Sequence, residues 1–192
     1  MTDTNHDTRS PVRPFALVGG FVAGVVASGA LGGAINVING WVSPGYFVTI
    51  MHWHHVSDVW RASIAQGTFE GLLFGVFFSL VFATGTGIIT RASCRFDFAV
   101  RHLLGILAGA CVCWLLGGVA GMGLASLSPE FYRSTFLDAP PELSSIRAFA
   151  WVGGSIWGVE LGGLASVILG LVVVRANWRQ SQTHAIGPGA VV

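Results

Sequence analysis

The chain has 192 residues, of which 53% are hydrophobic and 10% charged, with a formal net charge of +1. A soluble domain carries about a quarter charged residues, so this composition excludes a fully solvated surface. The balance offers no basic patch for nucleic acid, and 27 glycines in a charge-poor, apolar chain are a membrane composition.

Residues 1–13 are polar, with Asp3, Asp7, Arg9 and Arg13, and read as a disordered tail. Pro14 opens an apolar run to about Val42. The run is longer than the roughly 7–15 residues of a signal-peptide core, so a first membrane helix is expected over 14–42. A loop follows over 43–61, then a second apolar run over about 62–89. After a short basic loop with Arg91, Arg95, Asp97 and Arg101, a third run covers about 98–127. A second loop spans 128–147, a fourth run about 148–174, and residues 176–192 read as a tail. Each run exceeds the ~20 residues that span a ~30 Å hydrocarbon core. Helix is the expected state, because it closes every backbone hydrogen bond within its own segment.

Arginines set the expected orientation. Arg9, Arg13, Arg91, Arg95, Arg101, Arg175 and Arg179 fall on one side, against Arg61, Arg133 and Arg147 on the other. The excess favours both termini in the cytoplasm. Trp41, Tyr46, Trp60, Tyr132 and Trp151 then fall near the outer interface, which favours aromatic rings.

The second run carries a small residue at every fourth position: Gly67, Gly71, Gly75, Ser79, Ala83. The fourth repeats it at Gly154, Gly158, Gly162, Ser166, Gly170. This spacing lines one helix face and lets another backbone approach. An offset of 85 residues superposes Gly20, Ala23, Gly24, Leu31, Gly32, Gly33, Ser43 and Pro44 on identical residues, and an offset of 87 superposes the ladders. The expected fold is therefore all-α and polytopic, four transmembrane helices as a parallel duplication of a two-helix unit. Repeat 1 covers 14–91 and repeat 2 covers 92–175. Two helices per unit imply a pseudo-twofold axis along the membrane normal, with the ladder helices central.

Glu70 and Glu160 are the acids inside apolar runs. Under the repeat Glu160 matches Leu73, one turn from Glu70, so the acids share similar faces of equivalent helices. With Gln66, Asn36 and Asn39 they can form one polar cluster. Intramembrane acids are candidates for a proton or cation site; the plainer reading is hydrogen-bonded packing between helices. His52, His54, His55 and Asp58 form the candidate metal cluster, since imidazoles with a carboxylate suit zinc or copper. The second copy has no histidine there, and an interfacial histidine cluster is the alternative. Cys94, Cys111 and Cys113 read as small packing residues.

The segment Ala34–Phe47, ending Ser-Pro-Gly-Tyr-Phe, and the segment Ser128–Tyr132 resemble loops of small uncharacterised bacterial inner-membrane proteins with a Pro-x-Tyr-Phe-like segment after a first span. The chain departs from that pattern at Gly45, where an acid is usual, and in the reversed order of Phe131 and Tyr132. The resemblance carries no activity with it. The expected role is non-enzymatic, without cofactor: a structural or interaction protein of the inner membrane, packed through its glycine ladders. Its partners are the lipid bilayer and a second copy or another membrane protein, not nucleic acid. The alternative is a small proton- or cation-coupled transporter or channel subunit using Glu70 and Glu160.

Overall fold

The computed structural model describes residues 14–136 and 139–185. The described residues form α1 (Pro14–Val42), α2 (Pro44–Ile50), α3 (Val59–Thr90), α4 (Phe96–Leu127), α5 (Pro129–Thr135) and α6 (Leu143–Ala185). Of these, α1, α3, α4 and α6 are long and apolar enough to cross a membrane. The chain is thus an all-helical, multi-pass membrane protein. The expected tails 1–13 and 186–192 lie outside the described residues.

Local chemistry sets the helix ends. Pro44 and Pro129 sit in the first turns of α2 and α5, where a missing N–H costs nothing. These two short helices occupy segments expected to be loop. Asp58 caps α3 by accepting from the Arg61 backbone N–H at 3.0 Å, so α3 begins three residues before the apolar run does. At its other end Arg91 adopts a left-handed conformation (φ 51°, ψ 39°) and closes the helix. Helix α6 runs on past Val174 to Ala185, so residues 176–185, expected in the tail, are helical. That stretch holds helix-forming Ala176, Arg179 and Gln180 and no Gly or Pro.

The long helices are packed in two antiparallel pairs, α1 with α3 and α4 with α6. Within the first pair, Gly24 meets Ser79, Ser28 meets Gly75, Gly32 meets Gly71, and Asn36 meets Gly67. Within the second, Gly109 meets Ser166, Cys113 meets Gly162, Gly117 meets Gly158, and Gly121 meets Gly154. The facing positions correspond one for one at offsets of 85 and 87 residues. A Cβ at Gly71 would run into the Ser28 carbonyl, and one at Gly158 into the Cys113 carbonyl. Each ladder is therefore consumed inside its own hairpin. Cys113 stands where the first hairpin has Ser28, a small packing residue as expected.

Between the pairs, α1 lies beside α4 and α3 beside α6. This arrangement overturns the expected twofold axis, which would bury the same positions in both hairpins. Gly20 and Phe82 are buried, while their counterparts Gly105 and Leu169 are exposed. Leu103 and Val167 are buried, while their counterparts Val18 and Leu80 are exposed. The hairpins stand side by side in the same sense, each using a different flank. Helix order and direction follow from the sequence; which flank of a hairpin meets the other follows from side-chain fit.

Substituting Gly71 by Leu should therefore drive α1 and α3 apart. A loss of about 1–3 kcal/mol, the usual range for overpacking, is expected in detergent-solubilised protein. Gly123, where an added Cβ meets nothing within 4 Å, is the control: Gly123→Ala should be neutral or stabilising by about 0.5–1 kcal/mol through helix propensity. Wild-type melting of Gly71→Leu would mean that the ladder is not a packing face.

Candidate functional site

Tight packing within the hairpins and looser packing between them leaves a cavity of about 110 Å³ at the centre of the four long helices. That is several times the volume one water needs. Glu70 on α3 and Glu160 on α6 both line it, together with Asn36, Ser28 and Ser79. Most of the remaining wall is apolar, with Phe78, Phe82, Leu103, Ile106 and Val167 toward the α3–α4 turn. At the opposite end, Ile156 belongs both to the cavity wall and to the fringe of a second apolar cluster.

That second cluster is built by the short helices. Tyr46 and Phe47 of α2 and Tyr132 of α5 pack with Ile146, Phe149 and Val152 of α6. The Tyr46 and Phe149 rings lie 4.9 Å apart. Trp41 is exposed, in keeping with an interfacial ring, but Tyr46 and Tyr132 are buried and are part of the interior. Spacing could not reveal this, because Ser-Pro followed by two aromatics suits an interfacial anchor equally well.

The structure divides the expected five-residue cluster. Glu70 and Glu160 share the cavity with Asn36. Gln66 donates its amide to Glu70 Oε1 at 2.7 Å and lies outside the cavity wall. Asn36 and Asn39 are buried and belong to a chain of hydrogen bonds. The Asn36 amide donates to the Ser63 carbonyl at 2.9 Å, and the Asn39 amide reaches Asn36 Oδ1 at 3.5 Å. The Ser155 hydroxyl donates to Asn39 Oδ1 at 3.2 Å. This chain ties α3 to α1 and α1 to α6, across the two hairpins. Ser63 and Ser155 are not among the sequence candidates, and Tyr46 is expected there only as an interfacial ring. Ser63 and Ser155 are the only hints, being polar residues on the same helices as the acids, and lone serines in apolar helices are common.

The candidate metal cluster does not assemble. Among the described residues, no group of three or more His, Cys, Asp or Glu side chains is placed to hold a metal ion. Residues 51–57 form turns rather than the helix that would pair His52 with His55, and His52 itself has a left-handed φ of 55°. The three histidines are exposed, while Asp58 is engaged as the α3 cap and pairs with Arg61 at 3.3 Å.

Electrostatically the cavity is one-signed. Among the described residues the ion pairs are Arg61–Asp58 and Arg95–Asp97, both exposed, and neither cavity acid has a basic partner. At the cavity's aromatic end, burial pushes the Tyr46 hydroxyl up to about 12, reinforced by Tyr132 and then by Glu160 and Glu70.

Two outcomes follow. A phenol held near 12 when folded but ~10 when unfolded stabilises the fold below pH 10 and loses that contribution as pH rises toward 12. Tyr46→Phe should therefore lose less melting temperature than wild type across about pH 10–12. Separately, Asn39→Leu and Ser155→Ala should show a coupling energy of about 0.6–1.7 kcal/mol in a double-mutant cycle, the range for interhelical hydrogen bonds in membranes; additive effects would remove the bridge. No family model, curated protein or solved structure matches this chain.

Proposed function

We propose that the cavity between the hairpins binds a proton or a small cation on Glu70 and Glu160, and that the chain works as a small ion-coupled transporter or channel subunit. The observation that carries this reading is that both intramembrane acids line one central cavity with room for water. Acids placed only to glue helices would face each other or a donor across a filled contact. The protein is in this reading non-enzymatic and resides in a bacterial inner membrane, with the cytoplasmic termini that the arginine distribution favours. Its two hairpins are copies of one unit, a reading supported by the matching registers of their internal contacts.

A structural role is the second reading. It is favoured by the amide of Gln66 on Glu70 and by the Asn–Ser chain, both of which are packing contacts. Transport separates the two. Reconstituted in liposomes with an internal pH dye and an imposed proton or sodium gradient, the wild type should carry flux well above empty vesicles. Glu70→Gln and Glu160→Gln keep size and hydrogen bonding but remove the charge, and each should reduce that flux at least tenfold. Flux indistinguishable from empty vesicles, or variants as active as wild type, would leave the structural reading standing.

A further inference from the structure

The cavity wall carries a pattern that the duplication does not repeat. Glu70, Phe74 and Phe78 follow one another at four-residue spacing along α3, and all three line the cavity. That spacing sets them on one stripe of the helix, a carboxylate followed by two phenyl rings. The Phe74 and Phe78 rings stack with centroids 6.0 Å apart and planes at 20°. Glu160 faces the same space from α6. At the matching positions of the second hairpin stand Trp157, Leu161 and Ala165.

The wall is poorly suited to a hard inorganic cation, which takes a shell of about six or more oxygens. Its side-chain oxygens belong to Ser28, Asn36, Glu70, Ser79 and Glu160. Two of these residues are already engaged. Glu70 Oε1 accepts from Gln66, and Asn36 Oδ1 accepts from Asn39. The rest of the wall is mostly apolar, and no Arg or His lines it among the described residues. Two acids set in such a wall match a cation that brings its own apolar surface. A quaternary ammonium has no N–H group in need of an acceptor, and it is attracted to the faces of aromatic rings.

Phe74 also gives the cavity an edge on the bilayer. It is 41% exposed and stands among the exposed Leu73 and Phe77, so the cavity wall is continuous there with the lipid-facing side of α3. A volume of about 110 Å³ is well below the roughly 300–1,000 Å³ of pockets that enclose drug-sized ligands. A compact head fits inside, and a longer substituent must lie past Phe74. On the reading that Glu70 and Glu160 bind a cation, we infer that the ligand of this site is a lipophilic organic ammonium ion. Its head sits at the two carboxylates, and its apolar substituent lies against Phe74 at the lipid-facing edge.

Equilibrium binding tests this with benzyltrimethylammonium as the probe. Neopentylbenzene, in which carbon replaces the nitrogen, is its uncharged isostere. The whole chain in lipid nanodiscs should bind the radiolabelled cation saturably, above empty nanodiscs. The isostere should compete at least tenfold more weakly, and sodium in large excess should leave the cation bound. Glu70→Gln and Glu160→Gln should each weaken binding at least tenfold. Phe74→Leu keeps an apolar side chain at an exposed position, so it should melt like wild type and bind at least threefold more weakly. The isostere comparison uses the unmodified chain, so it decides even where a variant fails to fold. Equal competition by the isostere overturns the inference, because the cavity then accepts any apolar molecule. So does full displacement by sodium, or wild-type affinity in the carboxylate variants or in Phe74→Leu. No saturable binding alongside Glu70-dependent proton or sodium flux removes the organic cation and leaves the ion-coupled reading intact. Absence of both binding and flux removes the two together.

Discussion

The structure depends on backbones touching without side chains between them. In a bilayer, lipid tails are as apolar as leucine, so helices gain nothing from merely hiding hydrophobic surface from one another. They associate through close van der Waals fit and polar contacts, and fit is best where the intervening atoms are fewest. Gly32 against Gly67 and Gly71, and Gly117 against Gly154 and Gly158, supply that fit in the two hairpins. The opposed positions advance together by one turn along both helices, so small residues spaced by four keep the contact continuous.

Close packing inside each hairpin has a consequence between them. The ladders are already occupied, so the hairpins meet through flanks that carry Phe78, Phe82, Leu103 and Val167. Large side chains on glycine, as with Phe78 on Gly163, hold the pairs together at discrete points rather than along a seam. The space left among those points is the central cavity. The aromatic layer from α2 and α5 packs beyond one end, reaching the cavity wall through Ile156, and Phe82, Leu103 and Val167 line the other. The short helices thereby have a structural task that their loop-like sequence does not announce.

Polarity is distributed by the same division. The hydrogen-bond chain from Ser63 through Asn36 and Asn39 to Ser155 crosses from one hairpin to the other. Both cavity acids also sit on flanks that face the other hairpin. The residues at the matching positions of the other hairpin, Trp157 for Glu70, Leu73 for Glu160 and Leu124 for Asn39, are apolar and exposed. Asn36, Asn39, Glu70 and Glu160 thus gather where the hairpins meet, so that an amide or carboxylate can find a partner or water. The two hairpins share a scaffold and differ where they meet.

The sequence by itself determined the number of long helices, their approximate bounds and the faces on which they pair, because length, hydropathy and four-residue spacing are local properties. It also marked Glu70 and Glu160, since an acid in an apolar run is conspicuous without any structure. It offered His52, His54, His55 and Asp58 as a metal cluster beside the plainer interfacial reading, and the turns over 51–57 leave the three histidines exposed and no metal group assembled among the described residues; it also led to an interfacial Tyr46, which packs against α6 instead. Only the tertiary structure decided that the hairpins stand in the same sense rather than about a twofold axis, that Asn39 reaches Ser155, and that the acids share a cavity. The reason is physical: repeated glycines mark where two backbones can approach, but both flanks of each hairpin are apolar. The choice between them rests on the fit of individual side chains such as Phe78 into the space above Gly163, which no periodicity encodes.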